Sequence, residues 1–365
     1  MAEVHLSKVT KQFGSGGNGD GVLAVSELDL DVADGEFLVL LGPSGCGKTT
    51  TLRMVAGLET ATSGDIRIGD QRVNDLAPGE RDIAFVFQFY ALYPHLSVRD
   101  NISFPLRAQQ IPKDEVDRRV EAVSQRLRIG HILHRRPNRL PSGEQQRVAL
   151  GRAMVRQPQV FLMDEPLTNL DAALRADMRV ELKHLQQEVG TTMLYVTHDQ
   201  TEALSMSHRI AVMNLGVLQQ VDTPLNIYNK PRTLFVAKFI GSPPMNTLEC
   251  TRDDDYLVGA DNGFRLRLDA ATQASAGNPT RLVFGIRAED VRVVDASADE
   301  ADLRGVIDVR EPLGDETIYQ VDLDDYRLLA KTPPREMYKP GDLVGLSINR
   351  NKMHLFDATS GQRVN

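Results

Sequence analysis

Two hydrophobic textures follow one another along the chain. In the first two thirds, short apolar runs alternate with longer amphipathic stretches. Glu36–Leu41, Ile83–Gln88, Val160–Met163 and Met193–Val196 read as buried strands. Lys113–Leu127, Ser142–Val155 and Ala172–Glu188 read as helices between them. Buried strands alternating with helices predict a largely parallel sheet covered on its faces. Glu27–Val32 instead alternates apolar and polar residues, as an antiparallel edge does. The pattern changes at Gly241-Ser242-Pro243-Pro244. Beyond it Leu282–Ile286, Val291–Val294, Gly305–Val309, Thr317–Leu323 and Leu343–Asn349 show strand-like alternation between turns, and no long helix is evident. This predicts an α/β domain over residues 1–240 and a small all-β barrel or sandwich over residues 241–365.

Gly14–Gly21 is glycine-rich but lacks a Gly-Lys-Thr ending and a strand feeding it. It reads as the surface tip of a hairpin. The chain has 365 residues, 41% of them apolar and 25% charged, enough for a sizeable core and two domains. Its net charge of −8 argues against a nucleic-acid partner, so any phosphate site must be local. Cys46 and Cys250 are the only cysteines, which fits a reducing compartment better than a disulfide framework. The first residues carry no apolar signal region, and no run approaches the roughly 18 apolar residues of a membrane span. A soluble, intracellular protein is expected, one that could still dock on a membrane-embedded partner.

Gly42-Pro43-Ser44-Gly45-Cys46-Gly47-Lys48-Thr49 is a complete phosphate-binding loop between a predicted strand and a predicted helix starting near Thr50. Backbone N–H groups and the helix N-terminus cradle phosphate oxygens in such a loop. Lys48 would reach the β- and γ-phosphates, and the Thr49 hydroxyl would ligate Mg²⁺. Cys46 reads as a small filler, though a helix N-terminus would lower its thiol pKa. Val160–Met163 runs into Asp164-Glu165. Asp164 would hold the metal, and Glu165 would polarise an attacking water. His198 follows another apolar strand and could hold that water in line. Gln88 ends a third, and its amide could ligate Mg²⁺ or orient water. Each has a plainer reading: a helix start for the acids, a strand-to-helix turn for His198, a polar strand end for Gln88. Together with the phosphate loop they point to triphosphate hydrolysis.

The order of Gln88, Leu140–Gln146, Asp164-Glu165, Asn169-Leu170-Asp171 and His198 resembles the ATP-binding-cassette ATPases. Phe87–Val98, Tyr195–Gln200 and Phe239–Asn246 resemble the maltose-type sugar importers within them. Gly285–Asp290 and Leu313–Thr317 are similar to that subfamily's regulatory domain, so the likeness covers nearly the whole chain. It implies a P-loop cassette with an antiparallel β subdomain and a helical subdomain, then an oligonucleotide-binding-like regulatory and dimerisation barrel. It implies ATP and Mg²⁺ as cofactors. Phe13 would stack on adenine. Residues 42–50, Gln88, Asp164, Asp171 and His198 would meet nucleotide, and Ser142, Gly143 and Glu144 the nucleotide of a partner copy. Gln88, Glu165 and His198 would be catalytic, with Thr49, Gln88 and Asp164 at the metal. The implied partners are a second copy or a related ATPase, two permease subunits touched by the segment after Gln88, and an extracytoplasmic solute-binding protein. The implied location is the cytoplasmic side of the plasma membrane. Competing classes are a soluble cassette acting in translation or DNA repair, and a low-turnover regulatory subunit.

One departure stands out. The family signature reads Leu-Ser-Gly-Gly-Gln or Glu, whereas here Leu140 is followed by Pro141-Ser142-Gly143-Glu144. Proline has neither the hydroxyl nor the N–H of the serine it replaces. One lost charge-assisted hydrogen bond costs about 1.5–3 kcal/mol, about a ten- to hundredfold weakening. A sluggish ATPase, partly rescued by Ser142, is the expectation.

Overall fold

The structure, a computed structural model, describes residues 2–14, 21–259, 264–268, 281–323, 326–334 and 338–365. The chain divides into two compact units, Met1–Pro224 and Leu225–Asn365. The expected boundary after residue 240 lies inside the second unit.

In chain order the first unit holds β1 (Val4–Phe13), β2 (Val22–Val32), β3 (Phe37–Leu41), α1 (Lys48–Ala56), β4 (Ser63–Ile68), β5 (Gln71–Arg72) and β6 (Ile83–Val86). Then come α2 (Val98–Ala108), α3 (Lys113–Arg126), α4 (Ser142–Met154), β7 (Val160–Asp164), α5 (Ala172–Val189), β8 (Thr192–Thr197), α6 (Gln200–Met206), β9 (Arg209–Asn214) and β10 (Val217–Asp222). A six-stranded sheet runs β10-β9-β3-β8-β7-β6. Its strands are parallel except β10, which pairs antiparallel with β9. All five residues of β3 are buried, so both faces of the sheet are covered there. Leu38 and Leu40 enter a core with Leu52 and Val55 of α1 and with Leu6, Leu28 and Leu30 of an antiparallel sheet. That sheet runs β2-β1-β4-β5, and Glu27–Val32 lies on its edge strand as the alternation predicts. Phe13 pairs with Val22, which brings the ends of β1 and β2 together. The residues between them, where a hairpin tip was expected, are described only at Gly14 and Gly21. Helices α2, α3 and α4 pack on one another as a helical layer, and α4 also meets β6.

The parallel register decides where chemistry can sit. Leu41 pairs with Thr197, Asp164 with Val196, and Val86 with Met163. The carboxyl ends of β3, β8, β7 and β6 therefore finish at one level, the edge where open α/β sheets hold ligands.

The second unit takes up most of α7 (Pro224–Asn229) and all of α8 (Leu234–Phe239). Ten strands follow: β11 (Asn246–Asp253), β12 (Tyr256–Gly259), β13 (Arg265–Arg267), β14 (Arg281–Ile286), β15 (Val291–Asp295), β16 (Leu303–Pro312), β17 (Thr317–Leu323), β18 (Tyr326–Thr332), β19 (Leu343–Ile348) and β20 (His354–Asp357). They form two five-stranded antiparallel sheets, β13-β12-β11-β14-β20 and β15-β19-β16-β17-β18. One apolar core joins Leu248 and Phe284 of the first to Val293, Tyr319 and Leu346 of the second. The helices belong here: Ala237 of α8 packs with Met245, Val283 and Phe356, and the buried Arg287 reaches back to both ends of the helical stretch. Its guanidinium donates to the carbonyls of Tyr228 (2.8 Å) and Ile240 (2.7 Å) and stacks 3.7 Å from the Tyr228 ring.

Candidate active site

The phosphate loop is shaped by backbone before any ligand arrives. β3 delivers Gly42, and α1 starts at Lys48. Gly47, the residue ahead of α1, has φ 103°, and a Cβ there would meet the Ala24 carbonyl oxygen at 2.5 Å. Only glycine fits that turn without displacing β2. Lys48 is buried, and its ammonium donates to the carbonyls of Gly42 (2.8 Å) and Pro43 (2.9 Å). A cation is thus held within its own loop, beside the N–H groups that open α1. Cys46 corrects one expectation. Its thiol is buried 3.8 Å from the Lys48 ammonium, and burial pushes its pKa up, outweighing the lysine that lowers it. The helix start does not activate this thiol. Cys46 is the small filler of the plainer reading.

Asp164, at the end of β7, accepts a hydrogen bond from the Thr49 hydroxyl at 3.0 Å. Burial pushes its carboxyl up, the neighbouring Glu165 charge adds to that, and Thr49 opposes it. Glu165 follows with φ 44°, an uncommon conformation for a residue with a Cβ. Backbone strain of this sort persists only where the surroundings enforce it. Here the Glu165 N–H donates to the Val196 carbonyl at 3.0 Å, which ties the turn to β8. One Glu165 oxygen lies 3.2 Å from His198 Nδ1, and the other accepts from the Thr168 hydroxyl at 3.3 Å. The imidazole is half exposed while the carboxylate is mostly covered. Thr168 was not singled out from the sequence; a threonine three residues past the acid carries no local signal of its own.

Gln88 lies just beyond β6, and its carbonyl accepts from the Asn169 amide at 3.0 Å. The segment after Glu165 therefore also touches the Gln88 backbone. Phe13 is 40% exposed, with the Lys11 ammonium 4.8 Å from its ring centre. Asp171 caps α5, its carboxylate accepting from the Leu174 N–H at 3.0 Å.

Ser142, Gly143 and Glu144 form the first turn of α4, in the helical layer. Pro141 precedes them in an extended conformation and supplies no side-chain cap. Glu144 Oε1 is 3.6 Å from His131 Nε2, whereas its Oε2 is buried with no hydrogen-bond partner among the described residues. Pairs formed within the chain are therefore Thr49 with Asp164 and Glu165 with His198; the signature residues join neither.

Comparison with known proteins now bears on this geometry. The ABC transporter family model matches residues 25–168, a MalK OB fold domain model residues 241–291, and a TOBE domain model residues 284–356. A xylose/arabinose import ATP-binding protein of Haloferax volcanii is 49% identical over 99% of this chain and 95% of its own length. The chain belongs to the ATP-binding subunits of ABC transporters. A trehalose/maltose import ATP-binding protein of Thermococcus litoralis is 48% identical over the full length of both chains. An sn-glycerol-3-phosphate import ATP-binding protein of Bordetella pertussis is 44% identical over 100% of this chain and 99% of its own. Among solved structures, the dimeric ATP-binding cassette MJ0796 in a post-hydrolysis state with ADP and Pi is 30% identical, with a TM-score of 0.55. It covers 60% of this chain and 98% of its own. This ABC subunit is accordingly an ATP hydrolase with a cassette fold followed by OB-like and TOBE β domains. Among its described residues, no helix is long and apolar enough to cross a membrane.

Proposed function

We propose that this ABC subunit hydrolyses Mg²⁺-ATP to drive import of a sugar or sugar-like solute through two membrane permeases. The observation that carries this is the pairing of Thr49 with Asp164 (3.0 Å) and of Glu165 with His198 (3.2 Å) at one sheet edge. The first pair is all oxygen, the donor set a hard cation prefers. The carboxylate is mostly buried at the sheet edge, with the Thr49 hydroxyl donating to it. The residues fit Mg²⁺: Thr49 and Asp164 would hold it, with the Gln88 amide as a third ligand. Bound there, the metal supplies charge neutralisation on the phosphates.

Glu165 takes the proton of the attacking water as that water's oxygen bonds to the γ-phosphorus. The bond to the bridging oxygen breaks, giving ADP and inorganic phosphate. His198 keeps Glu165 oriented and faces the γ-phosphate from its exposed side. Lys48 and the N–H groups of residues 42–50 hold the phosphates, Phe13 the adenine. A second copy, or a related ATPase, supplies its Ser142–Glu144 turn and Asp171 to complete the site. In that scheme residues 1–240 act as the cassette and residues 241–365 as a regulatory and dimerisation domain.

The permease contact is supported by an open cleft of about 410 Å³ lined by Leu58, Phe85, Phe87, Tyr93, Phe104 and Arg152. Phe87, Phe104 and the neighbouring Phe89 are 39%, 42% and 77% exposed. Aromatic side chains at a concave surface next to Gln88 suit an apolar helix end. The subunit then sits on the cytoplasmic side of the membrane, fed by a solute-binding protein across it. Sugar is favoured by the xylose, arabinose, trehalose and maltose carried in its relatives' names. Glycerol phosphate remains an alternative on the same ground. Pro141 favours a slow-turnover form of the same activity.

Glu165→Gln should lower hydrolysis about 10²–10⁴-fold, the usual share of a general base, and leave ATP bound. Turnover in this variant at the parent rate would remove Glu165 from the reaction.

A further inference from the structure

Glu165 and His198 stand on two different loops, one after β7 and one after β8. Strand pairing fixes the loops only as far as the Glu165 N–H on the Val196 carbonyl. Past that point a single 3.2 Å contact joins the two side chains. A second tie exists, and it runs through Arg175.

Arg175 lies in the first turn of α5, where a cation opposes the helix dipole. Helix formation therefore does not account for it. Its contacts do. Nη2 donates to the carbonyls of Thr168 (3.4 Å) and Leu170 (3.1 Å), and Nη1 is 3.5 Å from Asp199 Oδ2. Thr168 is the residue whose hydroxyl donates to Glu165. Asp199 directly follows His198. Its other oxygen caps α6, accepting from the N–H groups of Thr201 (2.7 Å) and Glu202 (3.1 Å). Its own N–H donates to the Thr197 hydroxyl (3.0 Å), which donates to the buried Glu202 carboxylate (2.7 Å). The His198 turn is thus anchored from behind by Glu202 and from the side by Arg175. The Arg175 and Asp199 side chains are 31% and 24% exposed, so water screens this pair less than a surface one.

We propose that Arg175 is a positioning residue for hydrolysis. Its planar fork spans the Thr168–Leu170 carbonyls and the Asp199 carboxylate at once. It thereby sets where His198 stands relative to Glu165, and touches neither Lys48 nor Thr49. A lysine cannot span both, because an ammonium is a point donor without the fork. The inference rests on the reading that Glu165 and His198 act together on the γ-phosphate.

The test uses the full-length chain and ATP. Arg175→Gln should lower kcat about tenfold or more and leave KM for ATP within about twofold. Asp199→Asn keeps an oxygen to cap α6 but loses the charge facing Arg175, and should lower kcat similarly. Since both changes break one tie, the double variant should be no slower than the slower single one. Arg175→Lys should restore only part of the rate. The His198 ring resonances should move in both single variants, which a loss of α5 packing alone would not produce. If Arg175→Gln misfolds, Asp199→Asn carries the test. Parent kcat in either variant, or multiplicative effects in the double, would overturn the inference. Glu165→Gln measured alongside separates the outcomes. If it too is at parent rate, the reading of the site fails; if it alone is slow, only the role of Arg175 fails.

Discussion

The phosphate-loop edge and the signature end of α4 are built to opposite standards. At the first, Lys48 holds two carbonyls, Thr49 holds Asp164, and Glu165 holds His198 and Thr168. At the second, Pro141 caps nothing. Glu144 Oε2 and both amide atoms of Gln146 are buried with no hydrogen-bond partner among the described residues. A buried polar group left unpaired costs about 1–3 kcal/mol. The chain therefore pairs these groups of the phosphate-loop edge within itself and leaves buried polar atoms unpaired in the first turns of α4. The departure at Pro141 lies at the less well satisfied end.

Changing Pro141→Ser together with Ser142→Gly would narrow the difference most. It moves the hydroxyl from position 142 to position 141 and adds one N–H to the signature turn. Steady-state turnover of the assembled transporter should rise about ten- to hundredfold, the converse of one charge-assisted hydrogen bond. An unaltered rate would mean that Ser142 already does the work. A smaller effect is expected at Gln146→Leu. An apolar side chain of similar shape removes two unpaired atoms, so thermal stability should hold or improve by about 1 kcal/mol. A large loss would show that the amide is paired in solution, and the contrast between the two ends would weaken.

Much of this was legible in the sequence because it is local. The phosphate loop, the acids ending β7 and the histidine after β8 each follow a continuous apolar run, and a parallel sheet brings such run ends to one edge. β1 was missed although Val4, Leu6 and Val9 are buried. Its pairing with β2 shifts register between Leu6 and Val9 and again before Gln12, which breaks the period of two. α7 and α8 are tied to the second unit by Arg287, which reaches Tyr228 and Ile240, and by Ala237 against Val283 and Phe356, contacts that span long stretches of chain. No local pattern encodes that. Cys46 is the filler that its sequence suggests, because a helix start lowers a thiol pKa only when burial does not outweigh it. Arg175 was invisible for a related reason: its neighbours in space are Thr168, Leu170 and Asp199, and only the last lies far off in sequence.

The central claim is that the phosphate-loop edge of one copy is finished by the signature end of another. Two Glu165→Gln chains test it directly, one also carrying Lys48→Ala and the other Ser142→Asp. Neither alone can assemble a complete site, but a mixed pair contains one. Retention of radiolabelled ATP through gel filtration should be absent from each variant and present in the mixture. A mixture that retains none, or a Ser142→Asp chain that retains ATP by itself, would contradict the account.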